Sequence, residues 1–209
     1  MMPVGEAVLR VPTGLPVGEI DDLNLAVSVF WPESGEIAPR LFYCLPGGGM
    51  RRAYFDLGAD PRLSFARQMA ARGHVCLLVD HPGVGDSDRP QDGHLLTPDL
   101  VARLHARVLE QLLDRLGAGR IDPACPTIEY PRAVAVGHSM GAMIAVTEIW
   151  RSTLNRLLPV KKESLIAPNT ATRNKSVTNG AMLIICRASH SLRPPFPPGV
   201  VSAAGSDMA

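Results

Sequence analysis

The sequence predicts an α/β protein: a mostly parallel sheet with helices on both faces, entered through an N-terminal antiparallel hairpin. Three observations carry this. Continuous apolar runs of strand length, "HVCLLVD" (74–80) and "RAVAVG" (132–137), fit strands covered on both faces. Segments with helical spacing alternate with these runs, and strand–helix–strand connections make parallel neighbours. Two stretches of strand length with turn residues between them, "GEAVLRV" (5–11) and "LNLAVSVFW" (23–31), open the chain.

The elements follow in order. "RLFYCLPGGG" (40–49) is a third strand ending in Pro46 and three glycines. "PRLSFARQMAARG" (61–73) has helical spacing, and Gly73 is a natural stop. The run 74–80 is the fourth strand. "TPDLVARLHARVLEQLLDRLG" (97–117) is the clearest helix, with Thr97 as N-cap, Pro98 at the first helical position and Leu100, Leu104, Val108, Leu112 and Leu116 recurring on one face. The run 132–137 is the fifth strand, and "AMIAVTEIWRSTLNRLL" (142–158) a helix behind it. Beyond residue 160 the regularity weakens to one good strand, "AMLIIC" (181–186), and a tail rich in proline and small residues. The chain reads as a single domain over 1–209, with 187–209 an irregular tail.

The totals narrow the function classes. The 209 residues suffice for one domain with a sizeable core. The net charge is +1 with both signs interspersed, which argues against a nucleic-acid surface. No apolar run reaches the ~20 residues of a membrane span, and the start lacks a secretory pattern. Cys44, Cys76, Cys125 and Cys186 are scattered without metal-ligand spacing. Cys44 and Cys76 lie in apolar strand runs as small buried thiols. These features point to a reducing cytoplasm and to no metal.

The chemistry concentrates in "GHSMG" (137–141), which joins the fifth strand to a helix. A bare G-x-S-x-G arises by chance in about one chain in fifteen of this length, so its flanks decide. A tight strand-to-helix turn projects the central oxygen clear of its own backbone. Glycines at 137 and 141 let strand and helix approach closely, and the Met140 N–H faces an oxyanion forming on a substrate. "LPGGGM" (45–50) ends the third strand and can aim a second N–H there, from Gly48 or Gly49. "VDHPGVGDSD" (79–88) lacks the spacing of a phosphate loop and reads as a structural loop.

Together these residues resemble the α/β-hydrolase family. Pro46-Gly47-Gly48-Gly49 follows the third strand, Asp80 to Ser87 the fourth, and Gly137-His138-Ser139-Met140-Gly141 the fifth, over roughly residues 5 to 168. The resemblance implies a serine hydrolase, esterase- or lipase-like, that cleaves an ester or related acyl bond through an acyl-enzyme on Ser139. It implies a small-molecule acyl substrate and no cofactor. Haloalkane dehalogenases, similar in fold, place Asp where Ser139 stands.

A serine hydroxyl needs a base, usually a histidine oriented by a carboxylate. The family supplies acid and then histidine after the serine. His190 is the one histidine after Ser139 and is the candidate base. It follows a strand like the family's seventh rather than its eighth, so weak turnover is expected, little changed by His190→Ala. Glu148, Glu163 and Asp207 are the later carboxylates, and none fits the acid's place. His81 is a substitute base of second rank, His138 packs beside the elbow, and His74, His94 and His105 read as surface or loop residues. A non-catalytic protein of the same fold is the alternative.

Overall fold

The computed structural model describes residues 3–38, 40–58, 60–149 and 183–187. Six strands form one sheet: β1 (Val4–Pro12), β2 (Asn24–Pro32), β3 (Arg40–Leu45), β4 (Val75–Val79), β5 (Arg132–His138) and β6 (Leu183–Arg187), in the order β1-β2-β4-β3-β5-β6. β1 and β2 form the expected hairpin, with Val4 opposite Pro32 and Pro12 opposite Asn24. β4, β3 and β5 are the parallel centre. β2 runs antiparallel to β4, and β6 antiparallel to β5. The sheet is thus mixed, with its parallel strands where the site is built. A strand added to the free edge of β5 satisfies that edge in either direction.

Alternation along the central strands sorts the core into two layers. Leu41, Tyr43 and Leu45 of β3 and Val75, Leu77 and Val79 of β4 face one layer. Cys44, Cys76 and Leu78 face the other. The first is covered by α2 (Pro98–Gly117), which contributes Leu104, Val108, Leu112 and Leu116. The second is covered by α1 (Phe65–Ala70) through Ala66 and Ala70. The expected cap of α2 forms, the Thr97 side chain accepting from Leu100 N–H; α1 is shorter than the expected 61–73 because the Ser64 side chain caps it, accepting from Arg67 N–H, after a 3-10 turn over Pro61–Leu63. Gly73, at φ 88°, ends the segment behind α1.

α3 (Met140–Ile144) starts directly after β5 and passes into a π-helical turn, Ala145–Ile149. The loop after β4 is fastened internally. Ser87 Oγ donates to Asp80 O and accepts from Ala26 N–H, while the Asp80 carboxylate, fully buried, pairs with Arg52 and accepts from Asp86 N–H. It is a structural loop, as its sequence suggests. The tail from 188 onward lies outside the described residues.

Candidate active site

The sharp turn between β5 and α3 puts Ser139 at φ 50° and ψ −117°. Among the described residues it is the one non-glycine with positive φ. Such a conformation costs on the order of 1–3 kcal/mol and persists only where its surroundings enforce it. Ser139 is exposed, and its side chain makes no capping bond to α3. The hydroxyl is therefore not tied to the helix that follows it.

The flanking glycines are dictated by contact. A Cβ on Gly137 would lie 2.5 Å from Ala142 N. A Cβ on Gly141 would fall on the carbonyl oxygens of Leu45 and Pro46, at the end of β3. The elbow is thus wedged against the loop that follows β3. There Met50 N–H donates to Gly47 O at 3.0 Å and closes a turn whose inner residues are Gly48 and Gly49. Gly49 has φ 74°, the positive value that the third residue of a type II turn requires. A Cβ on Gly48 would stand 3.3 Å from Met140 Sδ. The structure therefore brings Gly48 against Met140, and Gly48 and Gly49 are both exposed.

The histidines have distinct places. His138 stacks on Tyr54, with ring centroids 4.9 Å apart, and its buried Nδ1 has no hydrogen-bond partner among the described residues. His81 does not face the serine as a base would. It is 1% exposed, and both ring nitrogens are engaged: Nε2 with Pro46 O at 2.8 Å and Nδ1 with His105 Nε2 at 2.8 Å. His105 is no surface residue either. It is fully buried on α2, and its Nδ1 lies 3.0 Å from the Tyr43 hydroxyl. The sequence held a signal for this, because Val101, His105 and Leu109 form an i, i+4, i+8 row beside the apolar stripe. The charged residue names around it conceal that α2 is buried over a wide face. Burial pushes the His81 imidazole below its ordinary value, against the opposing pull of the Pro46 carbonyl and Asp80. Burial, then the His81 ring, drives His105 well below it.

His190, Glu163 and Asp207 lie outside the described residues, and of Glu148 only the backbone is described, in the π-helical turn.

The sequence model described as the alpha/beta hydrolase family matches residues 42–208. The chain belongs to the alpha/beta hydrolase family. The match begins inside β3 and runs past the stretch whose motifs carry the resemblance. No curated protein matches the chain. Among solved structures, the chain is similar to a ferulic acid esterase from Streptomyces cinnamoneus, with 20% identity and TM-score 0.51, over 73% of this chain and 56% of that one. An epoxide hydrolase from Vigna radiata gives 18% and 0.43, over 74% and 35%. A 2-hydroxy-6-oxo-6-phenylhexa-2,4-dienoate hydrolase from Rhodococcus sp. strain RHA1 gives 16% and 0.45, over 72% and 43%. The chain spans about half or less of the length of these structures. At 20% identity the likeness to the ferulic acid esterase shows the fold alone. Among the described residues, no helix is long and apolar enough to cross a membrane.

Proposed function

We propose that this hydrolase cleaves a carboxylic ester or related acyl bond of a small molecule through an acyl-enzyme on Ser139. The observation that carries the proposal is the Ser139 backbone. A positive φ at a non-glycine residue, held between two glycines that cannot bear a Cβ, is a strained conformation of the kind that clusters at active sites. In the proposed site it presents the Ser139 oxygen to the N–H groups of Met140 and of Gly48 or Gly49. In the proposed reaction, Ser139 Oγ attacks the acyl carbon. The oxyanion is received by Met140 N–H, on the elbow, and by Gly48 or Gly49 N–H, on the facing turn. His190 is the proposed base, taking the Oγ proton and returning it to the leaving group. The buried, unpaired thiols Cys44, Cys76 and Cys125 support a reducing, cytoplasmic setting.

Hydrolysis of p-nitrophenyl acetate by wild type, Ser139→Ala and His190→Ala tests this. Slow turnover that disappears in Ser139→Ala supports the nucleophile. Equal rates in wild type and Ser139→Ala would refute it and favour a non-catalytic protein. A lost rate in His190→Ala makes His190 the base. An unchanged rate removes it and leaves Ser139 with oxyanion binding alone, which in serine proteases still gives about 10³–10⁴-fold over water.

A further inference from the structure

β3 ends at Leu45, the last residue paired with β5. The next carbonyl, that of Pro46, is the first past the ladder, and Pro46 is buried. A buried carbonyl needs a donor. His81 Nε2 supplies it at 2.8 Å. A carbonyl only accepts, so His81 Nε2 carries the proton. In a neutral ring Nδ1 is then bare, and it accepts from His105 Nε2–H at 2.8 Å. His105 Nδ1 is bare in turn and is the nearer acceptor of the Tyr43 O–H, at 3.0 Å against 3.3 Å for the His105 carbonyl oxygen. Each of the four ring nitrogens has one partner, and the protons run in one direction from Tyr43 to Pro46. The opposite order demands a charged His81 at a site 1% exposed.

The Pro46 carbonyl shares its peptide plane with Gly47 N. Gly47 O in turn closes the turn that holds Gly48 and Gly49. On its other side the Pro46 oxygen occupies the space that a Cβ on Gly141 would need. One oxygen is therefore held by His81 and packed against the elbow at Gly141.

We propose that Tyr43, His105 and His81 form a proton-ordered chain that fixes the Pro46–Gly47 peptide and so aims the Gly48 and Gly49 N–H groups at the oxyanion. His81 is a positioning residue in this scheme and touches no substrate. The inference rests on the Ser139 hydrolase proposal for its catalytic consequence, and on the structure alone for its geometry.

Two substitutions separate positioning from packing. The amide nitrogen of His81→Gln stands near the place of Nε2 and keeps the donor to Pro46. In His81→Asn the amide reaches only the place of Nδ1, so Pro46 loses its donor. Both lose the ring. The expected result is a kcat for p-nitrophenyl acetate lowered at least tenfold in His81→Asn with KM nearly unchanged, and lowered no more than about threefold in His81→Gln. Removing an oxyanion donor outright costs about 10²–10³. Equal losses in the two variants, following their losses of thermal stability, would overturn the proposal. The ¹⁵N resonances of the full chain provide an arm that needs no turnover. At pH 7.5, His81 and His105 are expected as Nε2–H tautomers, and the Gly48 and Gly49 amide signals shift in His81→Asn but not in His81→Gln. An Nδ1–H tautomer at His81, or glycine signals shifted equally in both variants, would overturn the proposal. If wild type neither hydrolyses nor reacts with a phosphonate while these signals behave as expected, the hydrolase proposal fails and the anchoring of Pro46 stands.

Discussion

Gly141→Ala sets two effects of opposite sign against each other. Gly141 lies in α3 at negative φ, so alanine is conformationally welcome there. In an exposed helix the exchange would stabilise by roughly 0.5–1 kcal/mol. Here the added Cβ meets two main-chain oxygens, of Leu45 and Pro46, closer than real Cβ contacts come. Neither can swing aside as a side-chain tip would. Leu45 ends a strand paired to β5, and the Pro46 oxygen is held by His81. The elbow must lift from β3, and overpacking of this kind costs about 1–3 kcal/mol. Two main-chain collisions put the cost at its upper end, about 2–3 kcal/mol, so the net expectation is a loss of about 1–2.5 kcal/mol, and more for Gly141→Val. At 2–4 °C per kcal/mol for a chain of this size, the melting temperature falls by about 2–10 °C. Urea unfolding gives the free energy, with an unchanged m-value expected. Gly49→Ala is the control: open space surrounds its Cβ position, and only its φ of 74° opposes the change. It should cost about 1 kcal/mol, from backbone strain alone. A Gly141→Ala midpoint equal to or above wild type would show that the close approach of elbow and β3 does not exist.

Other perturbations test neighbouring features. His81 and His105 titrate below 6.5, their ordinary value, when folded, so in weak acid the unfolded chain binds more protons than the native one. Their contribution to stability is complete above pH 6.5 and declines as pH falls, by at most about 1.4 kcal/mol per pH unit for each ring. Urea midpoints flat from pH 7.5 to 5 would contradict this. Arg52→Met strands the fully buried Asp80 carboxylate without its cation and should cost about 3–5 kcal/mol; a loss under 1 kcal/mol would mean that Asp80 is sustained by backbone N–H groups alone. Ser139→Gly relieves the positive φ and should raise stability by about 1 kcal/mol while removing the nucleophile. An unchanged or lowered melting temperature would mean that the elbow is not strained.

The alternating architecture was legible because the strands write it plainly. The runs 74–80 and 132–137 are apolar throughout, and Thr97-Pro98 announces α2 at its first turn. The elbow was legible for a local reason at Gly137, where a Cβ would meet Ala142, whereas the need for glycine at 141 comes from Leu45 and Pro46 at the end of β3. The chain from Tyr43 through His105 to His81 was not, because its members lie 62 and 24 residues apart and meet only when β3, α2 and the loop after β4 are packed. Nor does a sequence state the direction of an edge strand: "LIIC" reads as a strand, but its antiparallel pairing with β5 depends on the path the chain takes to reach it. Arg52 and Asp80 likewise pair across 28 residues, where one charged residue among many gives no sign of burial.

The central claim is that Ser139 is a nucleophile supported by an oxyanion hole. With a fluorophosphonate probe the activated serine oxygen bonds to phosphorus, the P–F bond breaks and fluoride leaves, giving a tetrahedral adduct whose oxygen sits where the oxyanion would. Incubation of wild type and Ser139→Ala with the probe, followed by digestion and mass spectrometry, reads the claim directly. The expected result is a single adduct on Ser139, formed in the wild type and absent from the variant. Labelling that persists in Ser139→Ala, or its absence from both proteins, would contradict the claim.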